Sequence, residues 1–272
     1  MRYFIFSVFL LILCSLSVQG FGQDLRVIYE SNIKRDEVRF SEKGDYELLI
    51  ANGVSLYSPM SEDVFDDMVF KNQLTKKSDR KSIAQVTVDG SNLGRQIYRD
   101  IVFNDYINDT IYYQVLGIGV RAVKEEVFPF KWDIVQAKDT VIMGFNCQQA
   151  HTQYRGRTYE AYFTHEIPVN LGPWRFHSLP GLILAVQSTD GYFSVNAIKL
   201  ETNKLVEALK NPYKENKINI LEIEDYKTQV HDHYLQSAKS QAAKNPSGGS
   251  YSINFAGDNI EDFGIESIDF DY

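Results

Sequence analysis

Cys147 is the side chain of this sequence best suited to nucleophilic chemistry, and His151 and His165 follow it along the chain. Cysteine–histidine catalysis requires a hydrogen bond between the thiol and the imidazole, and a third group that orients the imidazole. No motif in the sequence supplies that third group. Because a lone cysteine between strands is usually a small buried apolar residue, we predict that no residue is catalytic. A hydrolase that uses Cys147 with His151 or His165 is the alternative.

Two pairs of histidines are candidate metal ligands. His231 and His233 lie two positions apart in a predicted helix, where such side chains point about 200° apart and do not easily bind one ion. His165 and His177 lie where a predicted strand and a loop adjoin. Two imidazoles are fewer than the ligands that a zinc site requires. We therefore predict no metal and no cofactor.

Three arginines surround the segment 170–183, which we call the Gly-Pro loop. Arg155 and Arg157 precede it together with Glu166, and Arg175 lies inside it. Guanidinium groups bind carbonyl and carboxylate oxygens well, so we interpret them as groups that hold the loop. The alternative is that they bind an anionic ligand or the C-terminus of a partner. The residues predicted for such binding are Arg155, Arg157, Trp174, Arg175 and His177.

The Gly-Pro loop contains two turn signals, Gly172-Pro173 and Pro180-Gly181. Proline fixes φ and glycine admits positive φ, so the backbone must turn in a defined way at both places. Aromatic and apolar residues lie between the two turns, which predicts a rigid loop that folds onto a core. The predicted structural motif comprises Gly172, Pro173, Leu179, Pro180, Gly181, Leu182 and Ile183.

The rest of the chain predicts a mainly β (α+β) fold. Its 272 residues are 44 % hydrophobic and include 17 Tyr and 17 Phe, and aromatic side chains favour strands. No long helix separates the strand-like runs, so their neighbours must be antiparallel. A helix is predicted after Ser61 and another over 222–244. The predicted strands are 25–29, 46–50, 54–57, 84–88, 96–103, 110–115, 126–130, 132–136, 140–145, 157–167, 182–187 and 192–200.

The N-terminal residues 1–20 have a basic start and an apolar run typical of a secretory signal peptide, with cleavage expected at 20–23. The protein is therefore expected to be exported, periplasmic or secreted, without a transmembrane span in the mature chain. The net charge of −8 argues against a nucleic-acid partner, because no basic stripe is present to neutralise phosphates.

We expect one domain over 24–244, with an inserted helix and loop at 58–82. The basic run 71–81 inside that insertion is typical of a solvated surface. Residues 245–272 form an acidic tail with interspersed aromatic residues. Its composition lies between that of a disordered appendage and that of an edge strand.

Two blocks of the Gly-Pro loop, GPWRF at 172–176 and LPGLI at 179–183, resemble the signature of the GLPGLI family of exported Bacteroidota proteins, whose function is unassigned. Blocks at 130–132, 144–150, 155–162 and 166–169 support the resemblance, which spans 24–234. It implies export and a β-rich domain, and brings no catalytic residues. Ser178 stands at the first glycine of the signature, so we expect no positive φ at this position.

By analogy, such a fold is similar to lipoprotein carriers, with a curved antiparallel sheet or open half-barrel over one or two packed helices. The aromatic excess without a catalytic motif favours an exported, non-enzymatic binding or accessory protein of the cell envelope. The ligand is expected to be a lipid, a peptide or an envelope-protein segment on the concave face of the sheet. A third possibility is an accessory subunit of an outer-membrane assembly, docked through the basic loop or the acidic tail.

Overall fold

A computed structural model describes residues 24–34, 41–60, 101–115, 121–202, 208–242, 250–253 and 268–271. The predicted signal peptide, the helix after Ser61, the basic run and the strand 84–88 lie outside these residues. The described strands are β1 Leu25–Lys34, β2 Ser41–Ala51, β3 Val54–Pro59, β4 Val102–Asp105, β5 Thr110–Val115, β6 Arg121–Glu126, β7 Asp133–Ile142, β8 Phe145–Tyr154, β9 Arg157–Thr164, β10 Leu182–Ser188, β11 Phe193–Thr202, β12 Ile220–Glu222, β13 Ser250–Ile253 and β14 Ile268–Asp271. The described helices are α1 Pro212–Glu215 and α2 Ile223–Ala242.

Twelve of the described strands form one open sheet in the order β12-β6-β5-β4-β3-β2-β1-β11-β10-β9-β8-β7. Neighbours are antiparallel except β12 and β6, which are parallel, so the sheet is mixed. Within the acidic tail, β13 and β14 pair with each other as a separate two-stranded sheet. The predicted mainly β fold with one or two helices is confirmed.

Tight turns fix the register of three hairpins in the sheet. Asn52-Gly53, Met143-Gly144 and Arg155-Gly156 join β2–β3, β7–β8 and β8–β9. Each of these six residues has positive φ, between 44° and 86°. Two-residue turns of this kind match the twist of antiparallel strands.

Several strand predictions were wrong near the middle of the chain. The predicted strand 126–130 lies mostly beyond β6, which ends at Glu126. In the loop that follows, Phe130 packs into the core whereas Phe128 is exposed. The runs 132–136 and 140–145 belong largely to one bulged strand, β7, and the run 157–167 ends at Thr164. β8 was not predicted, because its Asn and Gln residues have low strand propensity and its pairing with β7 and β9 overrides that propensity.

The core is rich in aromatic side chains. Trp174, Tyr29, Tyr57, Tyr113 and Tyr159 are among the largest fully buried residues. The prediction of a helix over 222–244 is confirmed by α2. Its apolar face contributes Ile223, Tyr226 and Val230 to the same core.

No helix in the described part of the chain is long and apolar enough to cross a membrane.

Candidate functional site

Cys147 lies in β8 with 1 % of its surface exposed, and its Sγ lies 3.5 Å from the carbonyl oxygen of Phe145. Burial raises the pKa of this thiol, which lowers its thiolate fraction and its nucleophilicity. His151 lies four residues further along the same strand, about 13 Å away at the usual rise per residue. Cys147 therefore has the surroundings of a buried apolar side chain.

His165 is turned away from the thiol as well. Its Nε2 lies 3.1 Å from the Oε1 of Gln148, and Gln148 projects to the opposite sheet face from its neighbour Cys147. The hydrolase alternative thus lacks the geometry that Cys147 with His151 or His165 would need. Among the described residues, no group of three or more His, Cys, Asp or Glu side chains could hold a metal ion.

The backbone of the Gly-Pro loop is fixed by hydrogen bonds to its own flanks. The amide of Ser178 donates to the carbonyl of Asn170 at 2.8 Å, and the amide of Ile183 donates to the carbonyl of Leu171 at 3.0 Å. The hydroxyl of Tyr29 in β1 donates to the carbonyl of Ile183 at 2.7 Å. The expectation for Ser178 was wrong, since its φ is 72°. The hydrogen bonds of the Gly-Pro loop hold Ser178 in this strained conformation.

Two glycines of the loop lie where no side chain fits. A Cβ at Gly181 would overlap the backbone carbonyl oxygen of Thr164. A Cβ at Gly172 would lie 2.6 Å from the Cβ of Ile183. The loop backbone therefore approaches β9 and β10 more closely than any other residue type permits.

The side chains of the loop fill the interior. Trp174 and Phe176 are buried, and their ring centroids lie 5.5 and 6.2 Å from that of Phe193. His177 is also buried, between the rings of Tyr106 and Phe130 at 5.6 and 5.1 Å. Burial lowers the pKa of His177 to about 4, so the imidazole is neutral at physiological pH. The aromatic face of the sheet is thus covered by the chain's own loop.

The arginines predicted to surround the loop have different partners. Arg155 forms an ion pair with Glu125. The guanidinium of the buried Arg175 lies 3.5 Å from the ring centroid of Tyr113 and donates to the hydroxyl of Tyr154. Cation–π contacts of this kind stabilise a desolvated guanidinium.

Arg157 and Glu166 lie apart from these contacts. Arg157 donates to Asp190 at 2.9 Å in the β10–β11 turn. The carboxylate of Glu166 accepts from the amide of Asn146 rather than from an arginine. The residues predicted for binding therefore contact other parts of the chain, and these contacts favour the interpretation that they stabilise the fold. They are Arg155, Arg157, Trp174, Arg175 and His177.

The sheet has two unlike faces across β8, β9, β10 and β11. The core face, which the Gly-Pro loop covers, carries the row Ala150, Ala161, Val186 and Val195. The outer face carries the row Gln149, Tyr162, Ala185 and Asn196. Side chains alternate between faces along a strand, so adjacent residues of each strand enter different environments.

A pocket on the outer face lies where β7 separates from β8. Val135 pairs with Gln149, but Asp139 pairs with Gln148, so three residues of β7 have no opposite position on β8. Such a bulge bends the strand that contains it. A pocket of about 330 Å³ lies beside the bulge, at the lower end of the range for small-ligand sites. Its lining includes Asp139, Thr140, Gln149, Tyr162, Gln187 and Asn196.

Gln149 is the most unusual side chain of this outer-face pocket. It is 1 % exposed, and its Nε2 donates to the hydroxyl of Tyr162 at 3.3 Å. Its Oε1 is buried without a hydrogen-bond partner among the described residues. An unpaired buried acceptor costs about 1–3 kcal/mol. The side chain of Gln149 therefore combines a position in the pocket lining with a buried oxygen that has no partner among the described residues.

Sequence reasoning did not identify this pocket. Gln149 lies in one of the blocks that supported the family resemblance, but its type and spacing match no binding motif. The register shift in β7 separates two runs that look like independent strands in the sequence. Only the pairing of β7 with β8 shows that the bulge lies opposite Gln149.

A family described as a protein of unknown function (Porph_ging) matches residues 121–185, which include β6 to β9, the Gly-Pro loop and the start of β10. No curated protein matches the chain. Similar solved structures include one titled "Structure of PNGF-II in P21 space group", with 14 % identity and a TM-score of 0.44. The same protein in the C2 space group gives 15 % identity and a TM-score of 0.45. Each match covers 86 % of this chain and 35 % of that chain, so this chain spans about a third of the length of those structures.

Proposed function

We propose that this chain is an exported, non-enzymatic binding protein of the cell envelope that holds a small molecule in the outer-face pocket. The buried, half-satisfied amide of Gln149 in that pocket carries the proposal. Native proteins rarely retain an unpaired buried polar atom without a reason. A ligand that completes the hydrogen bonding of Gln149 is such a reason.

The difference between the two sheet faces favours the outer-face pocket as the binding site over the concave aromatic face that the sequence analysis predicted. On the core face, Trp174 and Phe176 occupy the space above β9 and β11, through contacts with Tyr159 and Phe193. A lipid or peptide there would have to displace the Gly-Pro loop. On the outer face, the pocket is accessible while the sheet and the loop remain packed.

The proposal that the protein is exported rests on the signal-peptide pattern and on the GLPGLI resemblance. The GLPGLI-like blocks at 172–176 and 179–183 lie inside the matched residues 121–185, and we propose that both describe one family of exported proteins. Fractionation of the native host, with antibodies against the chain, tests this part. We expect the protein in the periplasmic or extracellular fraction, and a cytoplasmic location would contradict it.

Binding is tested by a ligand-observed NMR screen of a diverse small-molecule library against the full-length protein. Asn196→Trp places a large side chain on an exposed pocket residue, while Ser194→Trp places it on the same face of β11 outside the pocket lining. We expect hits that bind the wild type and Ser194→Trp but are lost in Asn196→Trp. A library without hits, or hits that persist in Asn196→Trp, would contradict the proposed function.

A further inference from the structure

We infer that the ligand of the outer-face pocket is a neutral, hydroxyl-rich molecule of the size of a monosaccharide or disaccharide. This inference rests on the proposed function and adds the chemical class. The polar groups that line the pocket are mostly uncharged: the amides of Gln149, Gln187 and Asn196 and the hydroxyls of Thr140 and Tyr162. Amides and hydroxyls both donate and accept, as the hydroxyls of a sugar also do.

The charges around the pocket disfavour an anion. Among the described residues that line it, none is Lys, Arg or His, and Asp139 contributes a carboxylate. Glu160 lies beside the pocket, where it accepts a hydrogen bond from Gln187 at 2.8 Å. Among the described lining residues, a phosphate or carboxylate ligand would therefore find no cationic partner.

A cation is disfavoured by where the carboxylates lie. Asp139 is exposed, whereas the deeply buried polar group is the uncharged Gln149. A buried ammonium group needs a buried opposite charge or an aromatic cage, and the lining includes one aromatic residue, Tyr162. A neutral ligand avoids the cost of desolvating an unpaired negative or positive charge.

The amide of Gln149 itself favours a hydroxyl. Only one of its two polar atoms reaches Tyr162, and the other needs a partner in the pocket. A hydroxyl supplies a donor to Oε1, and it supplies an acceptor to Nε2 if the amide turns over. A purely accepting or purely donating ligand group would satisfy one orientation only.

The test is isothermal titration of the full-length protein with a matched panel of probes: glucose, galactose, mannose, N-acetylglucosamine and their disaccharides, then glucuronate, glucosamine and neutral dipeptides. Ligand-observed NMR identifies binders first. We expect the neutral sugars to contain the tightest binders. Gln149→Leu should weaken that binding about tenfold or more, since it removes a buried hydrogen bond to the ligand.

Gln153→Leu is the matched control, because Gln153 is exposed on the same strand and is not among the pocket-lining residues. It should leave the affinity within about twofold, as expected for a surface substitution outside the site. Neutral-sugar binding that is equal in Gln149→Leu and wild type would overturn the inference.

Two other outcomes distinguish this inference from the proposed function. If glucuronate, glucosamine or a dipeptide binds best and Gln149→Leu weakens it, the pocket is a binding site and the inference of a neutral, hydroxyl-rich ligand is wrong. If no probe and no library compound binds, both the inference and the proposed function are wrong.

Discussion

The Gly-Pro loop and the outer-face pocket lie on opposite faces of the same strands. The loop has glycine, proline, tryptophan and arginine in close succession, and its side chains contact other parts of the chain. The pocket is built from common residues, and one of them, Gln149, has a buried oxygen without a partner in the part of the chain that the structure describes. Unusual residue types here mark places where the backbone is constrained. Among the described residues, the loop also has a buried polar atom without a hydrogen-bond partner, the Nε1 of Trp174. What sets Gln149 apart is that its side chain lines a pocket.

The largest expected effect comes from adding a single methyl group to the loop. Gly181→Ala places a Cβ against the carbonyl oxygen of Thr164, and the overlap involves backbone on both sides. We expect a loss of more than about 4 kcal/mol in the free energy of unfolding, measured by urea denaturation.

Gly144→Ala is the control for this prediction. Gly144 has a positive φ of 86°, but no atom of the described residues lies within 4 Å of a Cβ added there, so only backbone strain of about 1 kcal/mol is expected. Equal losses of unfolding free energy in the two variants would show that the close approach of Gly181 to β9 adds nothing to stability. The loop backbone would then be less constrained than the structure indicates.

The second prediction concerns pH and the interior of the loop. The pKa of His177 is lowered from 6.5 to about 4 by burial. Above pH 6.5 the imidazole of His177 is neutral in both the folded and the unfolded chain. As the pH falls toward 4, this imidazole takes up a proton in the unfolded chain but not in the folded chain. Stability should therefore fall by about 3 kcal/mol over this window, at about 1.4 kcal/mol per pKa unit.

Urea denaturation of wild type and His177→Phe between pH 4 and 7 measures this effect. Phenylalanine keeps the ring contacts with Tyr106 and Phe130 and cannot be protonated, so the variant should lose less stability on acidification. His151→Gln serves as the control for histidine removal outside the loop. Parallel pH profiles for wild type and His177→Phe would place the acid-sensitive group elsewhere.

The third prediction concerns a smaller effect, the coupling energies of the ion pairs formed by Arg155 and Arg157. The sequence analysis assigns the same role to both arginines. The side chains of Arg155 and Glu125 are 13 % and 16 % exposed, whereas those of Arg157 and Asp190 are 18 % and 49 % exposed. The better buried pair should have the larger coupling energy, about 2 kcal/mol against about 0.5 kcal/mol. Double-mutant cycles with Arg155→Met and Glu125→Gln, and with Arg157→Met and Asp190→Asn, measure both. A larger coupling for Arg157 with Asp190 would reverse our ranking of the two sites.

The sequence was sufficient for the parts of the fold that depend on local signals. The strands predicted over 46–50 and 54–57 correspond to the β2–β3 hairpin, and the helix predicted over 222–244 corresponds to α2. The Gly-Pro turns identified the loop and its close contact with the core. Each of these features depends on residues that are near one another in the chain.

The bulge and the pocket depend on pairing between strands and could not be read in this way. Nothing local shows that Val135 pairs with Gln149 and Asp139 with Gln148. The positive φ of Ser178 was likewise missed, because hydrogen bonds of the surrounding loop impose it on a residue that disfavours it. Arg175 was recognised as a loop residue, but its position over Tyr113 requires β5 to lie beside the loop.

The smallest predicted change in stability tests the comparison most directly. Gln149→Leu removes a buried oxygen that has no hydrogen-bond partner among the described residues. It also removes the hydrogen bond to Tyr162, a half-buried residue. A residue kept for packing would lose stability on this change, whereas a residue kept for a ligand should leave it unchanged or raise it by about 1 kcal/mol. Thermal unfolding of Gln149→Leu and the control Gln153→Leu, without ligand, decides between these. A large loss in Gln149→Leu alone would make Gln149 a structural residue like those of the Gly-Pro loop, and the two faces of the sheet would then no longer differ in role.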